Sequence, residues 1–121
     1  MKNDSYFITT PIYYPSGNPH MGHAYSSIIA DVLARFKRLE GKKVFYLTGT
    51  DEHGLKIQRE AEKNNKDPKI FCDELSKKFK NLTQILNLTN DDFIRTTEKR
   101  HYKSVEEIWN RLVKSGDIYL D

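Results

Sequence analysis

The sequence predicts an α/β fold built on an open parallel sheet, and three observations predict it. A short β-prone run, Tyr6-Phe7-Ile8-Thr9, is followed by a long stretch of helical spacing. Val44-Phe45-Tyr46-Leu47 is then a continuous apolar run, the mark of a strand covered on both faces. Polar loops rich in ligand-capable residues follow both runs. A strand, a helix and a buried-type strand make a βαβ unit, whose crossover is nearly always right-handed. Ligands of such sheets bind at the carboxyl ends of the strands, so the two loops should share one rim.

The loop after the first strand runs from Thr10 to His23. Pro11, Pro15 and Pro19 each fix φ, and Ser16-Gly17-Asn18 supplies a turn, so the segment is stiff. Asn18 is placed to cap a helix whose first residue is Pro19, where a missing N–H costs nothing. His20 and His23 then share a face of the first turn, with Gly22 leaving bare backbone between them. Ala24, Ile28, Ile29, Val32, Leu33, Phe36 and Leu39 continue the helix to a stop near Gly41. After the second strand comes the loop Thr48-Gly49-Thr50-Asp51-Glu52-His53-Gly54, then a short helix from Leu55 to Lys63 and a connection at Asn64-Asn65-Lys66. Asp67-Pro68 is a cap and first-turn pair for a helix to about Leu86, with Phe71, Leu75, Phe79, Leu82 and Leu86 on one stripe. Phe93-Ile94 reads as a short strand. Thr97 should cap a last helix through Val105, Ile108, Trp109, Leu112 and Val113, closed by Gly116, with Trp109 in the core. Ile118-Tyr119-Leu120 begins an extended segment. No repeat or internal domain boundary is visible.

Composition excludes several classes of function. At 121 residues, 37% hydrophobic and 31% charged, the chain is about one domain long with a wide wet surface. A net charge of +3, from 20 basic and 17 acidic residues, is too small to argue nucleic-acid binding alone. The basic pairs Lys37-Arg38, Lys42-Lys43, Lys77-Lys78 and Lys99-Arg100 read as solvated faces. Cys72 is the only cysteine, so no internal disulfide forms, and it reads as a small buried hydrophobe. No run approaches the ~20 apolar residues of a membrane span, and the expected location is the cytoplasm.

The chemistry concentrates on the predicted rim. Two imidazoles and a bare backbone lie at a helix start, where free N–H groups and about half a positive charge favour an anion, so His20, Gly22 and His23 are candidates for a phosphate site. Zinc is an alternative there, with His20, His23, His53 and Asp51 as ligands, but no Cys pair and no His-Glu-x-x-His accompanies them. One of Asp51 and Glu52 either holds an ammonium or hydroxyl pair of a substrate or caps the following helix. Of the adjacent Tyr13 and Tyr14, one faces the site and the other faces core or solvent.

Pro11-Ile12-Tyr13-Tyr14-Pro15 followed by His20-Met21-Gly22-His23 resembles the first signature of the class I aminoacyl-tRNA synthetases, the HIGH motif. Thr48-Gly49-Thr50-Asp51-Glu52-His53-Gly54 and Phe93-Ile94-Arg95-Thr96-Thr97 resemble the bacterial methionyl branch of that class, and the resemblance covers essentially the whole chain. It implies a Rossmann-like doubly wound parallel sheet, of which this would be the first half. It also implies activation of methionine by ATP with Mg2+ to methionyl-adenylate, then transfer to the 3′ end of tRNA(Met). On that resemblance His20 and His23 are catalytic and bind ATP together with Gly22. Pro11, Ile12, Tyr14 and Asp51 bind methionine, while Tyr13 and His53 are further rim residues. Met21 replaces the usual Ile or Leu of the signature, a volume-conserving change. The second signature, Lys-Met-Ser-Lys-Ser, does not occur. Ile118-Tyr119-Leu120-Asp121 falls about where the connective insertion, the expected place for any zinc, would begin. The expectation is therefore an amino-terminal part of the catalytic domain over residues 1–121, inactive alone. The remaining alternatives are another adenylyl-transferring enzyme with a His-x-Gly-His site, or a non-catalytic nucleotide-binding fragment.

Overall fold

Three parallel strands in the order β1-β2-β3 form the frame of the computed structural model, which describes residues 4–120. The elements are β1 (Ser5–Thr9), α1 (Met21–Leu39), β2 (Lys43–Thr50), α2 (Leu55–Lys63), α3 (Pro68–Ile85), β3 (Asp92–Arg95) and α4 (Lys99–Ser115). In register, Phe7 lies beside Phe45 and Thr9 beside Leu47, while Thr48 lies beside Phe93 and Thr50 beside Arg95. The βαβ unit read from the sequence is thus present, and a second crossover through α2 and α3 extends it.

Both crossovers cover the same side of the sheet. Tyr46 and Thr50 sit at alternate positions of β2 and so point to one face. Tyr46 packs with Ala30 and Ala34 of α1 and donates its hydroxyl to the Ser27 carbonyl at 3.0 Å, whereas Thr50 meets Ser76 of α3 at 3.0 Å. The opposite face carries Phe7 and Phe45, ring centroids 5.9 Å apart and both about half exposed or more. The run Val44–Leu47, expected to be covered on both faces, is therefore covered on one.

The same asymmetry corrects the expected face of α1. Its buried residues are Ala24, Ser27, Ala30, Asp31 and Ala34, small enough for the helix backbone to approach the ring of Tyr46. The bulky stripe of Ile28, Ile29, Val32, Leu33, Phe36 and Leu39 faces outward instead. Asp31 is held by Arg35 at 2.6 Å and by the backbone N–H and hydroxyl of Thr89, each at 2.6 Å, which ties α1 to the loop before β3. Arg38 bonds Thr89 and Asp91 in the same loop, and Arg100 grips Asp92, so these two members of the basic pairs are anchors rather than solvated charges.

On the other side of β2, α2 and α3 share a core of Ile57, Ala61, Phe71, Cys72 and Leu75. Asp67 caps α3 as expected, accepting from the N–H groups of Lys69 and Ile70, with Pro68 in its first turn. Burial pushes the Cys72 thiol up to about 11, consistent with a packed, unreactive side chain. Gly49 of β2 has no alternative, since a Cβ there would stand 1.9 Å from the Ile94 carbonyl oxygen on β3. Two further expectations are corrected. Thr97 does not cap α4; Glu98 is the N-cap, without a side-chain bond, and the Thr97 hydroxyl donates to Glu52 at 2.6 Å. Trp109 is 57% exposed rather than core. Gly116 ends α4 in the left-handed region as expected.

Candidate active site

The segment between β1 and α1 is strapped to the end of β2. The Thr10 hydroxyl meets that of Thr48 at 2.6 Å, the Tyr13 N–H donates to the Gly49 carbonyl at 3.0 Å, and the Asp51 N–H donates to the Tyr13 carbonyl at 2.9 Å. Pro15 is fully buried and pins the turn. The two loops predicted to share a rim are thus joined by backbone hydrogen bonds, and Tyr13 and Asp51 are neighbours whatever their side chains do.

Tyr13 and Tyr14 take opposite roles, as their adjacency in a rigid loop predicts. Tyr13 is buried, its ring stacked on Phe79 at 5.7 Å and its hydroxyl 2.8 Å from that of Ser27. Tyr14 is 52% exposed and faces Asp51. That carboxylate, first as a hydrogen-bond acceptor and then as a negative charge, holds the Tyr14 phenol above its usual range.

The histidine pair begins α1 differently from expectation. Asn18 is not the cap; its side-chain carbonyl accepts from the Lys78 ammonium at 2.8 Å. His20 is the cap, with extended backbone (φ −137°), and its Nδ1 accepts the Gly22 N–H at 3.1 Å. His23 reaches back, its Nδ1 accepting the His20 N–H at 3.1 Å. The two imidazoles make a reciprocal capping box, filling the roles usually taken by Ser or Thr and by Glu or Gln. Gly22 suits this cap, because a Cβ would stand 3.0 Å from the ring of His20 and push against it. The rings lie 3.8 Å apart at 38°, and His23 is gripped edge-on by Tyr13 at 4.8 Å and by Phe79 at 4.9 Å.

This arrangement fixes the protons. A nitrogen that accepts a backbone N–H carries no hydrogen, so each neutral ring bears its proton on Nε2 and presents it as a donor. Burial, and then the neighbouring His20, lower the His23 pKa, which keeps that ring neutral. A positive helix start disfavours imidazolium further.

A cavity of about 330 Å3 opens beside the pair, lined by Ile12, Tyr13, Tyr14, Ser16, Gly17, Asn18, His20, His23 and Lys56. The structure thus brings together His20, His23, Ile12, Tyr13 and Tyr14, with Asp51 against Tyr14. Pro11 does not line the cavity; it is exposed and its carbonyl accepts the Thr10 hydroxyl. His53 is turned away, 6.2 Å from the ring of Tyr102, and lines a neighbouring hollow with Thr96 and His101. Among the described residues no three His, Cys, Asp or Glu side chains converge on a metal position, so the zinc alternative gains no support.

Neither carboxylate of the second loop caps α2, whose N-cap is Gly54 at φ +119°. Glu52 is buried and bonded by Arg95 through both oxygens (2.6 and 2.8 Å), by Thr97 and by Thr50, while Arg95 also grips Asp73 of α3. The Glu52 N–H donates to the Thr96 hydroxyl at 2.8 Å, and that hydroxyl lies 3.4 Å from the Asp51 carboxylate. Glu52 is thus the brace, and Asp51, only partly buried, is the carboxylate left for a ligand. Sequence reading missed this brace and Lys56. No local pattern joins Glu52 to an arginine 43 positions on, and a lysine in a first helical turn has the pattern of any solvated charge.

Comparison with known proteins gives the lineage. The family described as tRNA synthetases class I (M) matches residues 6–121. The chain is 54% identical over its full length to a methionine–tRNA ligase of Mesorhizobium japonicum, covering 23% of that protein. It is 57% identical over 116 residues to one from Lactiplantibacillus plantarum, covering 17% of it. The solved structure of Mycobacterium tuberculosis methionyl-tRNA synthetase bound by methionyl-adenylate superposes with a TM-score of 0.91 at 44% identity, over 97% of this chain and 23% of that one. The chain spans about a fifth of the length of the relatives it matches. With every residue from Tyr6 onward inside the match, the chain belongs to the class I (M) tRNA synthetase family.

Proposed function

We propose that residues 1–121 form the amino-terminal part of a methionine–tRNA ligase catalytic domain, ending near the start of the connective insertion, and supply one wall of its adenylation site. The substrates are methionine, ATP and tRNA(Met). Relatives bearing that name at this identity, and the adenylate bound in the solved neighbour, support the reading. The observation that carries it is the histidine capping box, which leaves two Nε2–H donors on rings that line a cavity next to the partly buried carboxylate of Asp51, which has no cationic partner among the described residues.

In the reaction a methionine carboxylate oxygen attacks the α-phosphorus of ATP. The P–O bond to pyrophosphate breaks, and methionyl-adenylate forms. His20 and His23 donate to phosphoryl oxygens as charge grows on them, an interaction worth most where it strengthens in the transition state. Gly22 leaves room for the nucleotide against the backbone. Asp51 receives the methionine ammonium, and Ile12 and Tyr14 border the amino acid, while Pro11 only shapes the strand end before them. Tyr13 acts by holding His23 in place. Magnesium arrives with the triphosphate. A ribose hydroxyl at the 3′ end of tRNA(Met) then attacks the activated carboxyl and displaces AMP. Protein synthesis places this activity in the cytoplasm; among the described residues no helix is long and apolar enough to cross a membrane.

The test is a chimera in which this chain replaces the corresponding segment of a bacterial methionine–tRNA ligase. Methionine-dependent ATP–pyrophosphate exchange is expected from the chimera and none from the 121-residue chain alone, since groups that act as a unit fail together. Asp51→Ala in the chimera should raise the KM for methionine at least about tenfold while that for ATP moves less than about twofold. A folded chimera that exchanges with another amino acid, or equal losses for both substrates, would refute the assignment.

A further inference from the structure

Among the residues lining the histidine cavity, Lys56 is the single side chain with a formal charge. The others are aliphatic, aromatic, small or amide groups and two imidazoles whose Nδ1 atoms already accept backbone N–H groups. A triphosphate brings about four negative charges into this space, and an imidazole in its neutral form answers them with a hydrogen bond but not with charge. Lys56 stands in the first turn of α2, two residues beyond the Gly54 cap. Among the described residues its ammonium has no hydrogen-bond acceptor or carboxylate partner. The lysines paired with carboxylates lie elsewhere on the surface, as Lys63 does with Glu60 and Lys37 with Glu40, and Lys78, although it reaches the cavity wall, spends its ammonium on the Asn18 side chain. An unpaired ammonium on the wall of a cavity whose other donors are neutral is placed to meet an anion that enters it.

We propose that Lys56 is a polyphosphate-binding residue, gripping the β- and γ-phosphates of the nucleotide whose α-phosphate meets His20 and His23. This deepens the adenylation reading and rests on it. The distinction it makes is between parts of one ligand. The histidines serve every adenine nucleotide, whereas Lys56 serves only those with a phosphate chain. It also assigns Lys56 to the departing pyrophosphate, so its contribution lies with the leaving group rather than with the amino acid.

The experiment follows backbone amide shifts of the 121-residue chain by NMR during titration with ATP, ADP and AMP in low salt without magnesium, for wild type, Lys56→Ala and Lys56→Arg. Because Lys56 is exposed and unpaired, both variants should fold as the wild type does, and their unperturbed spectra report this directly. Losing a charge-assisted contact should weaken ATP about tenfold and leave AMP within about twofold, with Arg restoring most of the difference. If Lys56→Ala weakens neither nucleotide, or weakens ATP and AMP alike, the assignment of Lys56 is wrong while the histidine site stands. Absence of any nucleotide-dependent shift in the wild type would overturn the phosphate reading of the cavity and this proposal with it.

Discussion

Helices α3 and α4 have nearly the same length and the same kind of amphipathic stripe, yet their fates are opposite. Phe71, Leu75 and Phe79 of α3 are buried against α2, β2 and the histidine loop. On α4, Val105, Ile108, Trp109, Leu112 and Val113 are between 38% and 58% exposed, and among its described residues none is buried. What differs is what lies beneath. α3 returns across the sheet from α2 and meets β2 and the rigid proline loop, whereas α4 leaves β3, the last strand in the order, and meets no second layer. Periodicity reports that a face favours cover; it does not report whether the chain supplies it.

The largest way to break this comparison is truncation of one aromatic on each helix. Phe79→Ala removes a ring that is 2% exposed, stacks on Tyr13 and meets His23 edge-on, and should cost about 3–5 kcal/mol. Trp109→Ala, although it deletes a bigger side chain, should stay within about 0.5 kcal/mol. Urea unfolding followed by far-UV circular dichroism measures both. Equal losses would mean that α4 packs on the chain in solution and that the contrast is false.

A second pair of substitutions sharpens the contrast in charge rather than in packing. Glu52 is held by Arg95 on the α3 side of the sheet with its side chain fully buried, while Glu107 pairs with Arg111 on α4 in the open. Glu52→Gln leaves Arg95 without its main partner and should cost about 3 kcal/mol or more, against less than about 0.5 for Glu107→Gln. The pH profile adds a sign. Burial alone would raise the Glu52 pKa, but the bonds from Arg95, Thr97 and Thr50 outweigh it and hold the carboxyl below the usual range. Asp31 behaves likewise through Thr89 and Arg35. Depressed carboxylates stabilise the fold fully above their unfolded values of about 4, and that stability is lost as pH falls through the lower folded values. Wild-type stability should therefore fall steeply on the acid side of about pH 4, and Glu52→Gln should flatten that fall. An unchanged acid limb would show that Glu52 is not the titrating brace.

The parts of this molecule legible in its sequence are those written in local code. Proline, glycine and apolar runs marked β1, β2 and the loops between them, and the α2 and α3 boundaries followed from short-range signals such as Asp67-Pro68. That both loops follow strands of one parallel sheet was enough to bring the histidine and Asp51 loops to the same edge. What local code omits is partnership across the chain. Asn18 had the composition of a cap but is spent on Lys78, and Thr97 had it too but is spent on Glu52. The outer stripe of α1 was the more hydrophobic, yet its alanine face won the sheet because Tyr46 requires small neighbours. Gly49 shows the same limit, since only the approach of β3 explains it.

The smallest expected effect tests the difference between the two helix starts. α1 opens with imidazoles as caps, whereas α4 opens at Glu98 with no side-chain cap, so only the first can titrate near neutrality through its capping bonds. Burial and then His20 lower the His23 pKa, and protonation at Nδ1 would also remove the acceptor of the His20 N–H. A histidine whose folded pKa is depressed favours the fold above its unfolded value of about 6.5, and that contribution is lost as pH falls through the folded value. Stability should thus show a shallow step on the acid side of neutrality, separate from the carboxylate fall at lower pH. His23→Gln keeps an acceptor at the third helical position, where Gln serves in ordinary capping boxes, but removes the titration. Its unfolding free energy should match the wild type near pH 8 and show no step near pH 6. A step that persists in His23→Gln would assign the titration to another histidine and deny that the cap itself responds to pH.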